Sequence, residues 1–313
     1  MQSTSYSLLL PIQSTSYSLF PILIFMINSS SSYLLLAASF LNQITSYLIT
    51  IFFIGFPLPS LAETVLEKIQ QTGVLKAGVR SDAVPFSYIN SQTNQLEGYS
   101  VELIKLIHQR LEQELGKPIK LELQKISLEE RFQLIEDGKL DIVCAATTIN
   151  NAREEVVDFS IPFFTTGIQL LVKKTDAERF DPIKGTREKI SIGLLQGTTT
   201  EEEFRPIYPN ANWQAVSDRA EGINELSQGK IDAIASDGIL LLGAVWQQNK
   251  NFNEFDLIPK IPFTFENYGC ILPLANSDWD KFVDTTIASD ENTQLLHQWF
   301  DPKKGKFPYE SFR

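Results

Sequence analysis

One stretch, residues 134–172, constrains the fold of this chain more than any other part of the sequence. A turn at Gly138 leads into a β-rich apolar run over residues 140–145 that is too short for a helix, which predicts a strand. Residues 146–151 follow with small, hydroxyl and amide side chains, which suit the N-cap of a helix. The stretch therefore predicts the end of one helix, a strand, a short turn and the start of a second helix.

The start of this second helix is a candidate anion site. Arg153 falls in the first helical turn, where unpaired backbone N–H groups and a guanidinium fork together can hold a carboxylate. Glu154 and Glu155 follow it, and the helix dipole favours acids at such positions. The same residues also suit a plain connection between a strand and a helix, in which Arg153 is a solvated surface side chain.

Strands and helices alternate through the chain from residue 63 onward. The predicted elements of the first half are a strand at Val74–Val79, a helix capped by Ser100, a strand at Ile119–Leu123 and a helix at Leu128–Asp137. Such alternation predicts an α/β fold with mostly parallel sheets, helices on both sheet faces and ligands at the carboxyl ends of the strands.

The second half of the chain repeats this pattern. Its predicted elements are a strand at Ile190–Leu195, a helix start within Thr198–Glu203, a strand at Ile231–Ala235 and a helix at Gly238–Gln248. The segment Leu226–Asp232 also echoes Ile135–Asp141, with a Gly-Lys turn and an Asp at equivalent places. We therefore expect two lobes of similar build.

The composition of residues 1–62 predicts an export segment. The first Asp, Glu, Lys or Arg of the chain is Glu63, residues 33–59 are strongly apolar, and residues 59–62 resemble a cleavage site with small residues. We expect removal of this segment after Ala62. An uncleaved membrane anchor is the alternative, because the apolar span is long enough to cross a bilayer.

Charge and motif content argue against nucleic-acid binding and against catalysis. The net charge of −11 disfavours nucleic acid and anionic membrane surfaces as partners. The two histidines, His108 and His297, lie within helical patterns, and the short motifs of zinc proteases, serine hydrolases, P-loop proteins and dinucleotide-binding proteins do not occur. We expect a binding module that needs no metal and no cofactor.

Residues 137–164, DGKLDIVCAATTINNAREEVVDFSIPFF, resemble the signature region of the family 3 extracellular solute-binding proteins, the polar amino-acid receptors of ABC importers. The shared pattern is Gly-Lys-apolar-Asp, a strand, a Thr-rich turn followed by Arg, and Asp-Phe-Ser-x-Pro-aromatic. Within the family, the turn before Arg153 is most similar to the glutamate/aspartate-binding branch. The resemblance extends over residues 63 to 300.

The resemblance implies a type II periplasmic-binding-protein-like fold with two lobes. Each lobe is expected to hold a mixed, mostly parallel sheet with helices on both faces, and a two-strand hinge joins the lobes. Residues 63–172 and 267–313 are expected in the first lobe and residues 173–266 in the second, with the chain crossing back near Asn267–Cys270. A monomeric periplasmic protein is implied, whose partners are a free L-amino acid and a membrane permease.

The resemblance further implies a site for the two charged groups of a free amino acid. The residues expected around the carboxylate are Ala146, Thr148, Arg153, Thr198 and Thr199. Asp237, at the end of a predicted strand, is expected to hold the ammonium. Thr199 and Asp237 also suit helix caps, and for Asp237 the two roles are compatible.

Departures from the family pattern indicate an acidic ligand. Ala83 and Leu128 stand where many relatives carry aromatic side chains, which suit cationic or flat ligands. Arg80 and Arg131 lie where the acidic amino-acid branch also has arginines, and Arg219 is a third candidate. A desolvated side-chain carboxylate needs such partners.

Three alternatives remain open. A receptor for glutamine or another neutral polar amino acid fits if Arg131 is structural. A dehydratase-like exported enzyme on the same fold is the second, and it would need a general acid or base in the cleft. The third is a sensory or channel-linked ligand domain, which would carry transmembrane or signalling segments that we do not expect here.

The two cysteines of the chain lie in two predicted strands. Cys144 belongs to the strand over residues 140–145, and Cys270 lies where the chain is expected to cross back to the first lobe. A disulfide is possible in an oxidising compartment if these strands are neighbours. Two buried thiols are the alternative.

Overall fold

The computed structural model describes residues 63–180 and 189–307, so the predicted export segment lies outside the described residues. The strands of its first sheet are β1 (Val74–Val79), β5 (Lys120–Lys125), β6 (Ile142–Thr148), β7 (Asp158–Phe159), β8 (Phe164–Thr166) and β14 (Glu266–Leu272). The strand order is β5-β1-β6-β14-β7, with β8 also paired to β14. β1 runs parallel to β5 and β6, and β14 runs antiparallel to β6, β7 and β8.

The second sheet has the same mixed character. Its strands are β9 (Ile168–Lys173), β10 (Ser191–Leu194), β11 (Asn212–Ala215), β12 (Ala233–Asp237) and β13 (Phe255–Ile258), in the order β11-β10-β12-β9-β13. β10 runs parallel to β11 and β12, and β9 runs antiparallel to β12 and β13. A small third sheet joins β2 (Asp82–Ala83), β3 (Ser87–Ile89) and β4 (Leu96–Glu97).

Helices cover both sheets. They are α1 (Val65–Thr72), α2 (Tyr99–Leu115), α3 (Gln133–Glu136), α4 (Asn151–Glu154), α5 (Thr199–Phe204), α6 (Arg219–Gln228), α7 (Gly238–Gln247), α8 (Ser277–Ile287) and α9 (Asp290–Phe300), with 3₁₀ turns at Lys174–Phe180 and Phe252–Glu254. As expected, the C-terminal helices pack on the first sheet: Trp279 and Trp299 lie in one core with Ile104 of α2. The Tyr99 hydroxyl also donates to Asn292 Oδ1 at 2.8 Å, which joins α2 to α9.

The predicted cap of α2 is wrong. Ser100 lies buried within the first turn, and the cap position belongs to Gly98. Gly98 has φ of 129°, and a Cβ there would lie 2.1 Å from the Phe86 carbonyl oxygen. Only glycine tolerates both the backbone conformation and this close approach. Gly116, with φ of 63°, is the C-cap of this helix.

The helix predicted at Leu128–Asp137 is shorter than expected. Only Gln133–Glu136 is helical, and the residues before it form turns. The Arg131 guanidinium donates to the Leu128 carbonyl oxygen, so a side chain occupies an acceptor that a longer helix would use for its own backbone.

The sequence echo between the two halves has a structural counterpart. In the first sheet, Asp141 Oδ2 accepts from the Lys76 backbone N–H at 2.8 Å, and the Asp141 N–H donates to the Lys76 carbonyl at 2.8 Å. In the second sheet, Asp232 Oδ2 accepts from the Ser191 N–H at 2.8 Å, and the Asp232 N–H donates to the Ser191 carbonyl at 2.8 Å. Each Asp thus fixes the strand that follows it beside the neighbouring strand of its own sheet.

The chain crosses between the sheets twice, before β9 and before β14. The two crossing segments touch at Gly167, where a Cβ would lie 1.9 Å from the Thr264 carbonyl oxygen. The Ile168 N–H donates to Thr264 Oγ1 at 3.0 Å, and the Phe263 N–H donates to the Ile168 carbonyl at 3.0 Å. β9 belongs to the second sheet, so the first crossing lies a few residues before the division that we placed after residue 172.

The two cysteines form a disulfide. Cys144 on β6 and Cys270 on β14 are joined with an S–S distance of 2.00 Å, and both side chains are buried. The bond links two neighbouring strands of the first sheet.

Within the described ranges 63–180 and 189–307, no helix has the length and apolar character needed to cross a membrane.

Candidate functional site

Arg153 lies beside the carboxyl end of β6, as the sequence predicted. The Asn150 side chain accepts from the Arg153 backbone N–H at 3.0 Å and so caps the single turn of α4. The Arg153 guanidinium donates to the Thr148 carbonyl oxygen at 2.6 Å and is half-buried. Arg153 is therefore held against the strand end, unlike a solvated surface side chain.

The strand before Arg153 carries an irregular backbone. Ala146 has φ of 49°, which is the left-handed region that L residues with a Cβ rarely adopt. The pairing register between β6 and β14 shifts at the same place, between Gly269 and Ile271. Such strain persists where the surrounding structure enforces it, and it concentrates at functional sites. Thr148 closes the strand and is buried.

The start of α5 brings Thr198 and Thr199 to the same region. Thr198 occupies the cap position, but its hydroxyl donates to the Leu195 carbonyl at 2.8 Å and makes no bond to the helix N–H groups. The helix thus starts within Thr198–Glu203, but the Thr198 side chain does not cap it. Thr199 is buried, and its hydroxyl lies 3.5 Å from Glu266 Oε2.

Asp237 is the last residue of β12 and occupies the cap position of α7. Its side chain makes no capping bond, and Oδ1 has no hydrogen-bond partner among the described residues. The residue is only 6% exposed. Burial raises the pKa of Asp237 to about 6, and the nearby Glu266 adds to this, whereas Arg219 opposes it. A buried carboxyl oxygen without a partner can accept hydrogen bonds from a cationic group of a ligand.

Glu266 is a site residue that the sequence did not indicate. It is 2% exposed at the start of β14, where the chain crosses between the sheets. The Thr264 hydroxyl donates to its Oε1 at 3.0 Å. Burial lowers the pKa of Arg153, and the carboxylates of Glu202 and Glu266 oppose this, so the Arg153 guanidinium faces acids. The one available signal was an acid placed directly before the predicted crossing.

Three buried guanidinium groups form an arginine-rich end of the candidate site, in which Arg131 lies close to Arg153 and Arg219 close to Asp237. Arg80, Arg131 and Arg219 are each 4–5% exposed. Burial lowers the pKa of Arg131 to about 9, with Arg153 and Arg80 contributing. Burial also lowers the pKa of Arg219, and Arg80 adds to this. Arg80 is therefore close enough to repel both Arg131 and Arg219.

These guanidinium groups are only partly satisfied within the protein. Arg80 donates two hydrogen bonds to the Asp82 carboxylate, one of them from Nε at 2.7 Å. Arg219 Nε donates to Ser236 Oγ at 2.8 Å. Among the described residues, Arg131 Nε and one terminal nitrogen of Arg219 have no partner. The group retains N–H donors for an anion.

A cavity of about 530 Å³ lies at this end, between residues of both sheets. Its walls are the segments after β1 and β5 and the segments after β10 and β11, and they are lined by Arg80, Ser81, Asp82, Lys125, Ile126, Ser127, Leu128, Glu129, Leu195, Gln196, Val216, Ser217 and Asp218. Leu128 lines this wall, whereas Ala83 is buried and does not line it.

The described residues hold no cluster of three or more His, Cys, Asp or Glu side chains suited to a metal ion. His108 lies on α2 with Nε2 2.6 Å from the Ile119 carbonyl oxygen, and His297 lies on α9. The candidate site is thus built from guanidinium, carboxyl and hydroxyl groups. Such a set can hold one molecule that carries a carboxylate, an ammonium and a further polar group.

Comparisons with known proteins place the chain among binding proteins. The family described as bacterial extracellular solute-binding proteins, family 3, matches residues 75–302. An L-glutamate/L-aspartate-binding protein of Pseudomonas aeruginosa is 30% identical over 253 residues, covering 77% of this chain and 82% of that protein. A glutamine-binding protein of Geobacillus stearothermophilus is 29% identical over 210 residues, covering 67% and 76%.

Solved structures show the same architecture. An ancestral amino acid-binding protein, described as a precursor of cyclohexadienyl dehydratase, superposes with a TM-score of 0.65 at 24% identity. The match covers 75% of this chain and 99% of that one.

Proposed function

The chain belongs to family 3 of the bacterial extracellular solute-binding proteins, and we propose that it is the amino-acid receptor of an ABC importer with glutamate or aspartate as its ligand. The family match confirms the resemblance found in residues 137–164. The two-lobed α/β fold is likewise confirmed by the solved amino acid-binding structure. The names of the relatives describe binding proteins, as expected for a receptor that is not an enzyme.

The proposed α-amino-acid site combines opposite charges from different elements. Arg153, beside the end of β6, offers a guanidinium to the ligand carboxylate, and Thr148 and the strained backbone at Ala146 flank it. Asp237, at the end of β12, offers its unpaired carboxyl oxygen to the ligand ammonium. Thr198 and Thr199 border the site from the start of α5. These groups match the chemistry that all free amino acids share.

The observation that carries the proposed specificity is the set of three buried guanidinium groups. Arg80 repels both Arg131 and Arg219, and the one acid that accepts hydrogen bonds from these arginines among the described residues is Asp82. Burying uncompensated cations is costly, and a ligand carboxylate placed among them would offset part of that cost. A lysine or arginine side chain would instead be repelled.

One observation favours a neutral polar ligand such as glutamine. Asp82 already neutralises Arg80, so the excess of positive charge at this end is smaller than the three arginines suggest. A side-chain amide could then bind through its carbonyl oxygen. An exported dehydratase-like enzyme on the same fold is the remaining alternative, and the catalytic use of Asp237 or Glu266 as an acid or base would be its requirement.

The proposed division of the chain follows the two crossings. Of the described residues, 63 to about 167 and 266–307 form the first lobe, and those between them form the second. The ligand lies between the lobes, and a permease in the membrane receives it from the closed protein. We keep the periplasm as the location, removal of residues 1–62 as the maturation step, and a monomer as the working form.

Substitution of Arg131 and Arg219, which make no hydrogen bond to Asp82, tests the proposed specificity. In Arg131→Met and Arg219→Met, the affinity for glutamate should fall by about 2–5 kcal/mol, because a desolvated carboxylate loses a charged partner. The affinity for glutamine should fall much less. The exposed Arg205, which pairs with Glu201 on α5, gives the matched control Arg205→Met with unchanged affinities. Equal losses for both ligands in calorimetric titrations would mean that the arginines are structural.

A further inference from the structure

Asp82 is the acid that pairs with Arg80 at the arginine-rich end of the candidate site. It lies on the short strand β2 and accepts two hydrogen bonds from Arg80, one of them from Nε at 2.7 Å. Its side chain is 32% exposed, and the residue lines the cavity between the two sheets. The carboxylate thus borders the space in which a ligand side chain would lie.

Asp82 also acts on an arginine of the other sheet. Burial alone would raise the pKa of Asp82, but Arg80 and then Arg219 lower it below its ordinary value. Arg219 belongs to α6, which packs on the second sheet. Burial and Arg80 lower the pKa of Arg219, whereas Asp82 and Asp237 raise it. Asp82 therefore screens the repulsion between Arg80 and Arg219, two cations that approach each other from different sheets.

We propose that Asp82 sets how strongly the protein discriminates an acidic amino acid from its amide. This inference rests on the function proposed above. Asp82 supplies, from within the protein, a negative charge that the side-chain carboxylate of the ligand would otherwise bring. With Asp82 in place, the two lobes can close on a neutral side chain, because Arg80 and Arg219 are already screened from each other. Without that charge, closure depends on an anionic side chain.

The preference for the acidic ligand is therefore smaller than three arginines alone would give. A carboxylate entering the cavity meets the attraction of Arg80 in its wall and, at longer range, of Arg131 and Arg219, which are close to Arg80. It also meets the like charge of Asp82 in the same wall. A side-chain amide is neutral, so the arginines attract it less and Asp82 repels it less. Removing the charge of Asp82 should strengthen glutamate binding and weaken glutamine binding at the same time.

The test is calorimetric titration of the full protein with glutamate and with glutamine. In Asp82→Asn, the ratio of the glutamine Kd to the glutamate Kd should rise about tenfold over that of the wild type. Asp82→Glu, which keeps the charge, should retain the wild-type ratio. Glu114→Gln is the control, because Glu114 is an exposed acid on α2 that does not line this cavity. Its ratio should also remain that of the wild type.

Thermal unfolding shows whether each variant is folded, and Asp82→Ser replaces Asp82→Asn if the latter is not. A ratio that is unchanged or lower in the folded uncharged variant overturns the inference. If the wild type prefers glutamate while that ratio is unchanged, only the role of Asp82 fails. If the wild type binds neither glutamate nor glutamine, the proposed function and this inference are both overturned.

Discussion

Arg153 and Asp237 come from different sheets and present opposite charges to the same region of the molecule. Arg153 is held by the Thr148 carbonyl at 2.6 Å, and Asp237 keeps Oδ1 without a partner among the described residues. Each side chain is thus fixed or buried by the protein before any ligand is present. This preorganisation lowers the conformational entropy that binding must remove.

Arg153→Ala should abolish binding of every amino acid, not of one class. The substitution leaves the ligand carboxylate in a closed site without its charged partner, which costs about 2–5 kcal/mol. Arg179→Ala, a change at a half-exposed arginine beside Asp232, serves as the control. Calorimetry that gives near-normal affinity for Arg153→Ala would remove Arg153 from the site.

The affinity should decrease as the pH is lowered, because Asp237 becomes protonated. Its pKa of about 6 reflects burial and the facing Glu266, against Arg219 and the Tyr268 hydroxyl. A bound ammonium favours the ionised carboxyl, so binding requires a deprotonated Asp237 and lowers its pKa. The affinity is therefore full above the pKa and decreases below it, by up to about tenfold per pH unit.

Titrations from about pH 7.5 to about pH 5 measure this dependence. The variant Asp237→Asn should bind more weakly and should lose most of the pH dependence in this window. His108 and His297 lie on α2 and α9, away from the described site residues. An affinity that is constant over the window in the wild type would show that Asp237 does not hold the ammonium.

At the scale of elements, the two Gly-Lys turns give a matched pair of positions. Asp141 is fully buried and accepts from both the Lys76 N–H and Lys68 Nζ, at 2.8 and 2.7 Å. Asp232 makes the equivalent bond to the Ser191 N–H but is half-buried. The same hydrogen bond from a backbone N–H to an Asp side chain is therefore more buried in the first sheet than in the second.

Asp141→Ala should lower the free energy of unfolding by about 3 kcal/mol, because it leaves the Lys76 N–H without its acceptor and removes the ion pair with Lys68. Asp232→Ala should cost about 1 kcal/mol, since water can replace the lost acceptor. Urea unfolding of both variants measures the difference. Equal losses would mean that the difference in burial between Asp141 and Asp232 does not determine their contributions to stability.

Local sequence signals predicted much of the fold. The strand Val74–Val79 was predicted with its observed bounds. The Asp141 and Asp232 turns were recognised as equivalent because both follow the local pattern Gly-Lys-apolar-Asp. Tertiary contacts decided the rest. The cap of α2 is Gly98 because Phe86 approaches its backbone, and no local pattern around Ser100 reveals that contact.

The candidate site divides in the same way. Arg153 could be named from its place after a predicted strand, whereas Asp237 and the other arginines were named from the resemblance to the family. Glu266 could not, since its burial arises only where the crossing segment meets α5. The pairing of Arg80 with Asp82 was equally hidden, because it depends on side-chain rotamers. Only the structure indicates that one of the three arginines is already neutralised.

At the scale of the whole molecule, function depends on two crossings that touch at Gly167 and Thr264. The proposed site takes groups from both lobes, so neither lobe alone surrounds a ligand. The protein should therefore open when empty and close on the ligand. Small-angle scattering should give a smaller radius of gyration at saturating glutamate. An unchanged radius, with binding confirmed in the same sample, would contradict closure.

The central claim is that this family 3 solute-binding protein takes an acidic amino acid, and the most direct measurement is thermal unfolding of the purified protein with each proteinogenic amino acid in turn. A ligand at about 100 times its Kd stabilises the folded state by about 2.7 kcal/mol. Glutamate or aspartate should give the largest rise in Tm, glutamine a smaller one, and lysine and arginine none. The largest rise with arginine, lysine or histidine would contradict the claim.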